Sequence, residues 1–360
     1  MADMGLTIRE LKVRAVEAPL PRPIRTAVGT IPSAPLLLID VQTEQGVVGR
    51  AYLFAYTKTV LAPLARLAAE LAGELAGQSV APAARMRAFE RRFLLLGRQG
   101  LLGMLLSGID MALWDALGRA ADCPVVRLLG GEPAPLPAYD SFGVIDPIAD
   151  QRAIRQSVER GFRAIKIKLG DGDVEKDAAT VAAVRGTIGP GIALMVDYNQ
   201  SLDVPEARLR IARLAAHDIA WVEEPVPAED IHGHARVRAG SPVPVQTGEN
   251  WWFPRDMANA IAAGASDYAM LDVMKIGGIT GWMHAAGQAQ AASLPVSSHI
   301  FIEASAHLLA VTPTAHWLEH LDSAGAILAE PLTVADGRIA ARGPGLGMTW
   351  DERAVARFAL

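Results

Sequence analysis

The 360-residue chain holds a single cysteine, Cys123, so neither a disulfide framework nor a thiolate zinc cluster is open to it, and a reducing cytoplasm suits it. Basic runs are absent. With 34 Lys and Arg against 39 Asp and Glu the net charge is -5, which argues against a nucleic-acid surface. The first ten residues carry Asp3, Arg9 and Glu10 and no apolar core, so no export signal is expected. Long apolar runs are also missing. The most apolar stretch, Leu101 to Leu117, is broken by Asp110 and Asp115; it is too short and too charged for a membrane span and reads as a buried helix. No dinucleotide fingerprint, P-loop or Gly-x-Ser-x-Gly elbow occurs. What remains is half apolar and one-fifth charged, the composition of a soluble globular protein of one to three domains.

Leu6 to Glu17 reads as a strand and the Pro-, Gly- and Thr-rich stretch Pro19 to Pro35 as a loop. Leu36 to Gln42 and Val47 to Leu53, joined by Thr43-Glu44-Gln45-Gly46, predict a hairpin. Thr59 to Leu75, Ala81 to Leu95 and Leu101 to Ala121 have helical spacing. Residues 1–130 are thus an α+β domain, closed by the helix stop at Leu129-Gly-Gly-Glu-Pro. Over residues 131–324, eight short apolar runs alternate with amphipathic helical segments. That spacing predicts parallel strands with crossover helices, an α/β barrel of TIM type. Residues 325–360, with two short β patterns after Leu332, are expected to pack back on the first domain.

Nearly every strand candidate ends in a residue able to do chemistry: Ser141, Lys166 and Lys168, Asp197 and Asn199, Glu223, Glu249, Asp272, His299 and Glu319. In a barrel these ends meet at the C-terminal face. Lys166 and Lys168 lie two apart on one strand, so both face inward, and each ammonium is expected to lower the other's pKa toward a usable base. Asp197, Glu223 and Glu249 bring three carboxylates together without Cys or His, a donor set that suits Mg²⁺. Glu224 competes with Glu223, since alternation lets only one of them point inward. Asp272 and His299 end neighbouring strands, where the carboxylate would fix the imidazole tautomer and raise its basicity. Glu319, beside Trp317 and Leu318, reads either as a protonated hydrogen-bond donor or as a salt-bridge partner. His307, His316 and His320 have no such partner and read as structural; His232 and His234 read as loop residues. A metal, a lysine and a histidine around one spot suit removal of a proton α to a carboxylate and stabilisation of the enediolate.

The chain resembles the enolase superfamily, mandelate racemase subgroup, over essentially its whole length. The motifs that carry the resemblance include Thr26-Ala-Val-Gly-Thr30, Leu53-Phe-Ala-Tyr-Thr57, Ala138-Tyr-Asp-Ser141, Val196-Asp-Tyr-Asn199, Gly248-Glu-Asn-Trp251, Met274-Lys-Ile-Gly-Gly278, Ser305-Ala-His-Leu-Leu-Ala310 and Thr312-Pro-Thr-Ala-His-Trp-Leu-Glu319. The resemblance implies a modified barrel under an N-terminal capping domain, and Asp197, Glu223 and Glu249 as ligands of Mg²⁺, with Mn²⁺ as a substitute. It implies Lys168 as the base for an S substrate and His299, supported by Asp272, as the base for R. Lys166 and Ser141 would hold the substrate carboxylate and Asn199 the α-hydroxyl, with Glu319 as electrophile and Lys275 near the site. Ile24, Ile31 and Tyr56 would line an apolar lid. A homo-oligomer, with an octamer among its forms, follows from the resemblance alone.

Phe142 departs from the His that the resemblance leads one to expect after Ser141, and Ile24 and Ile31 are bulkier than the expected Val. The implied activity is Mg²⁺-dependent racemisation of mandelate or a close 2-hydroxy acid by two-base proton transfer. An acid-sugar dehydratase is the alternative, against which the apolar Ile24, Ile31, Leu53, Phe54 and Phe142 argue. A catalytically silent scaffold or binding protein would show the loss of a base or ligand, and none is lost.

Overall fold

Three antiparallel strands open the chain: β1 (Ile8–Thr26), β2 (Gly29–Thr43) and β3 (Val48–Phe54), with β2 in the centre. The structure, a computed structural model, describes residues 5–360; the first four residues of the expected 1–130 domain, Asp3 among them, lie outside the described residues. Leu36 to Ile39 are all wholly buried, because the central strand is covered on both faces. The stretch from Pro19 to Pro35, expected as a loop, is instead the far end of this hairpin, with Ile24 opposite Ile31. Pro19, Pro21 and Pro23 fall on edge strand β1, where proline is tolerated, and the register slips between Pro19 and Ile24.

Helices α1 (Leu61–Leu75), α2 (Pro82–Arg92), α3 (Leu101–Ala120) and the single turn α4 (Val125–Leu128) follow. At 20 residues, α3 is by length and composition long and apolar enough to cross a membrane, and so is neither too short nor too charged for it, contrary to expectation. Its most apolar stretch is 83% buried, because it lies against the sheet as the core helix of this domain. Gly49 allows the close approach: a Cβ there would sit 2.0 Å from the Ala112 carbonyl oxygen.

Eight parallel strands come next: β4 (Leu136–Val144), β5 (Ala164–Lys168), β6 (Ala193–Asp197), β7 (Ile219–Glu223), β8 (Val245–Thr247), β9 (Tyr268–Asp272), β10 (Val296–His299) and β11 (Leu318–His320). Seven helices cross between them: α5 (Gln151–Glu159), α6 (Val174–Ile188), α7 (Val204–Leu214), α8 (Ile231–Ala239), α9 (Phe253–Ala263), α10 (Gly278–Ala291) and α11 (Ile302–Ala310). The strands pair in order from β4 to β10, with β11 on the far side of β4. The segment before β11 closes the curl, where His316 N–H bonds to the Val296 carbonyl at 2.7 Å. His232 and His234 lie on α8 rather than in a loop, because Asp230 caps that helix through the Gly233 N–H.

After β11 the chain forms a 3-10 turn (Gly325–Ile327), one short strand, β12 (Arg338–Ile339), and one α-helix, α12 (Glu352–Arg357), not two strands. β12 pairs with barrel strand β4, whereas the last residues lie on the first sheet: Trp350 Nε1 donates to Asp40 at 2.7 Å and Leu360 N–H to the Ala15 carbonyl at 3.1 Å. Cap and barrel also meet through Tyr52 and Glu303, hydrogen-bonded at 2.8 Å, and through Asp110 and Thr280.

Candidate active site

The strand pairing lays the polar ends side by side. Lys166 and Lys168 of β5 pair with Met195 and Asp197 of β6; Asp197 pairs with Glu223 of β7, and Asp272 of β9 with His299 of β10. Glu249 comes two residues after β8, in the turn that follows it. One oxygen from each of Asp197, Glu223 and Glu249 lies within 4.8 Å of the others, and all three residues are buried. Glu224 is not part of this group. Its backbone takes a φ of +38° and its carboxylate accepts from Asn250 Nδ2 at 2.8 Å.

The lysines bridge these carboxylates. Lys168 Nζ bonds Asp197; Lys166 Nζ bonds Glu223 and lies 2.9 Å from Glu319 and 3.7 Å from Asp197. His299 Nδ1 is 2.7 Å from Asp272, and its Nε2 is 3.5 Å from Glu249. Glu319 also accepts the Ile300 N–H at 2.9 Å. Asn199 donates from Nδ2 to Asp197 at 3.1 Å. Ser141 sits beside Lys166 in the β4–β5 pairing, its buried Oγ without a partner.

One electrostatic expectation changes here, and one open pair of readings narrows. Burial works against the Lys166 and Lys168 ammonium groups, yet Glu223 and Glu319 on one and Asp197 on the other outweigh it, so both pKa values are raised rather than lowered. Burial also favours the neutral acid at Glu319, but Lys166, His299 and the Ile300 N–H hold it down at about 2, so of the two readings open for it this structure has the salt-bridged carboxylate and not the protonated donor. Burial would neutralise His299 too; Glu249 and Asp272 overcome it and raise its pKa to about 9.

Six carboxylates (Asp197, Glu223, Glu224, Glu249, Asp272 and Glu319) are buried here with four cationic side chains (Lys166, Lys168, Lys275 and His299). The surplus of two carboxylates shows at Glu224, where burial and then Glu249 push the pKa well above the usual carboxylate range. It also shows at Glu223, which burial, helped by Asp197 and Glu249, pushes up to about 8 against the pull of Lys166. With an all-oxygen donor set and a buried Glu249 Oε2 that accepts no hydrogen bond, the three carboxylates fit a hard divalent cation.

Above them lies a cavity of about 370 Å³. Lys168, Asn199, Glu249, Lys275, His299 and Glu319 line its floor side; Ile24, Ile31, Phe54 and Tyr56 of the cap line its roof. Phe142 does not line it. Alternation along β4 turns Tyr139 into the barrel and Phe142 outward, into the layer between strands and helices, where the Arg22 guanidinium covers its ring at 3.9 Å. Leu53 likewise faces α3, near Gly108, instead of the cavity. His320 has a partner after all, Asp140 at 3.3 Å across the β11–β4 pairing. Sequence reasoning missed Ile300, Leu321, Gln200, Asn250 and Ser323, which also line the cavity. Four of them stand one or two residues from an identified position (Asn199, Glu249, His299 or Glu319), a signal available in the sequence.

The sequence matches the family described as "Mandelate racemase / muconate lactonizing enzyme, N-terminal domain" over residues 8–130 and "Enolase C-terminal domain-like" over residues 149–354. The chain belongs to the enolase superfamily, in its mandelate racemase subgroup. Among solved superfamily structures, an enolase from Bradyrhizobium complexed with magnesium and mandelic acid is 57% identical, with a TM-score of 0.98 and 100% of both chains covered. An L-talarate dehydratase from Polaromonas sp. JS666, complexed with Mg and L-glucarate, is 28% identical, with a TM-score of 0.89 over 99% of this chain and 98% of that one. The 3,6-anhydro-alpha-L-galactonate cycloisomerase of Streptomyces coelicolor is 36% identical, over 73% of this chain and 74% of its own. The chain is thus an enolase-superfamily enzyme, in a group that includes racemases, cycloisomerases and dehydratases.

Proposed function

We propose that this enzyme racemises mandelate or a closely related 2-hydroxy acid by two-base 1,1-proton transfer at the carbon α to the carboxylate. The observation that carries the reading is the pair of bases. Lys168 and His299 reach one cavity from strands separated by two others, β4 and β11, along the shorter way round the barrel. Asp197, Glu223 and Glu249 would hold Mg²⁺, which supplies Lewis-acid charge to fix the substrate carboxylate and stabilise negative charge developing on it. Lys166 and Ser141, register neighbours on β5 and β4 that do not themselves line the cavity, would hold that carboxylate, and Asn199, which does line it, the α-hydroxyl. The Lys166 ammonium works to lower the Lys168 pKa against the pull of Asp197, and a cation held by Asp197 would leave that lowering the stronger of the two. Lys168 then removes the α-proton of the S isomer, and the His299 imidazolium, oriented by Asp272, delivers a proton to the opposite face. The reverse transfer converts R to S. Arrival of a substrate carboxylate beside Glu319 raises its proton affinity, so its electrophilic role belongs to the liganded site. Lys275 and Tyr56, with the Lys275 Nζ 5.1 Å from the Tyr56 ring centre, flank the side group with Ile24 and Ile31.

A second reading, acid-sugar dehydration, is favoured by the polar Thr26, Thr30, Gln200, Asn250 and Ser323 along the same cavity. Phe142 and Leu53 no longer argue against it. Incubating the Mg²⁺-loaded enzyme with R and S 2-hydroxy acids and with sugar acids in D₂O separates the readings. Inversion with α-deuterium in both enantiomers of mandelate is expected. Formation of 2-keto products from sugar acids, with mandelate untouched, would establish the dehydratase instead. EDTA should abolish turnover and Mg²⁺ restore it.

A further inference from the structure

We infer that Trp221 and Gln246 are positioning residues for the metal site, acting through Glu223; this rests on the reading of Asp197, Glu223 and Glu249 as metal ligands. Glu223 Oε2 accepts the indole N–H of Trp221 at 3.1 Å and the amide N–H of Gln246 at 2.9 Å. Those two bonds fill both lone-pair directions of that oxygen. Its other oxygen, Oε1, faces Lys166 and is the one left to turn toward a cation. Both donors are neutral, so they fix the carboxylate without setting a further positive charge beside the ion.

The fold explains why they are well placed. Trp221 lies two residues before Glu223 on β7 and so shares its face, while Gln246 on β8 is the register partner of Glu223. The indole is 1% exposed and cannot swing. Tyr139 packs on it edge-to-face at 5.7 Å, Tyr268 at 6.1 Å, and His316 lies 5.6 Å away. Gln246 is fully buried, its amide nitrogen 3.5 Å from Met270 Sδ. Neither side chain lines the substrate cavity. Removing either donor leaves a carboxylate free to rotate and a ligand that must be ordered when the ion binds; such losses typically weaken metal affinity 10–100-fold.

The test is calorimetric titration of Mg²⁺ into the EDTA-stripped full chain, wild type beside Trp221→Phe and Gln246→Met. The first keeps the ring stack and removes the N–H; the second keeps the side-chain length and removes the amide. Each variant is expected to raise the Kd for Mg²⁺ by roughly 10–100-fold, measured well below the unfolding midpoint of the metal-free chain. A merely structural role would lower that midpoint and leave the Kd alone. A Kd within twofold of wild type in the folded variants overturns the inference, and Gln246→Met carries the test if Trp221→Phe does not fold. A wild-type chain that takes up no Mg²⁺ overturns the metal reading, and this inference with it, so the two failures are distinct.

Discussion

His299 and Lys168 have separate supports, Asp272 for one and Lys166 for the other, so each can be disabled alone. His299→Asn keeps the shape of an amide in place of the ring and loses the base. Racemisation in both directions should fall roughly 10²–10⁴-fold, the usual contribution of a general acid–base group. Exchange of the α-proton of the S isomer with D₂O should persist, with S product recovered. Interconversion of R and S at the wild-type rate, seen by chiral chromatography, would refute one base per face. Phe142 gives the opposite expectation. Because it points into the outer layer beneath Arg22, Phe142→His should cost stability and leave the ranking of a hydroxy-acid panel unchanged. A reordered panel would place the side chain in the pocket. At this scale the residue types and strand-end positions were legible in the sequence, since each closes an apolar run. The charge states of Lys166 and Glu319 were not, because they depend on salt bridges across three or more strands.

The strands of the barrel were legible because fully buried β segments read as short apolar runs between helices. Tyr268–Asp272 is such a run, buried over four of its five residues and closed by its acid. The β1–β2 arm was not legible, because proline and glycine marked it as a loop while edge pairing made it strand. This matters to the site, as Ile24 and Ile31 form part of the cavity roof from that arm. The packing of α3 on β3 was also hidden, since no pattern in sequence announces that Gly49 must lie against Ala112 and Ala116. Gly49→Ala would drive a Cβ to 2.0 Å from the Ala112 carbonyl and 2.8 Å from Ala116 Cβ, both parts of a helix that cannot give way cheaply. The expected loss is roughly 1–3 kcal/mol, as for other overpacked cores, read as a lower urea midpoint. An unchanged midpoint would mean that α3 shifts freely on the sheet.

Cap and barrel are joined by buried polar contacts, and one of them should make the stability of the whole molecule depend on pH. Asp110, wholly buried in α3, reaches across to the start of α10. Its Oδ2 accepts the Thr280 N–H at 2.9 Å, its Oδ1 accepts the Thr280 hydroxyl at 2.6 Å, and Trp114 Nε1 donates to the same hydroxyl at 3.0 Å. Gly278 makes room: it adopts a φ of +71°, and a Cβ there would lie 2.4 Å from Asp110 Oδ2. Burial raises the Asp110 pKa from 3.8 to about 7, against the pull of the Thr280 and Ile279 hydrogen bonds. The folded chain therefore holds this proton more tightly than the unfolded one. The stability tied to it is fully present below about pH 4, is lost as pH rises toward 7, and changes little above that. At about 1.4 kcal/mol per pH unit the loss is on the order of 4 kcal/mol. Asp110→Asn has no proton to lose and can still accept from Thr280. Its stability relative to wild type should climb between pH 5 and pH 7 and then level off. Urea unfolding of both chains at half-unit steps reads this directly, since the other titrating groups are common to the two and cancel in the difference. A difference that stays flat across that interval would mean that Asp110 is ionised in the folded chain throughout, with the N-terminus of α10 supplying enough charge to hold it so.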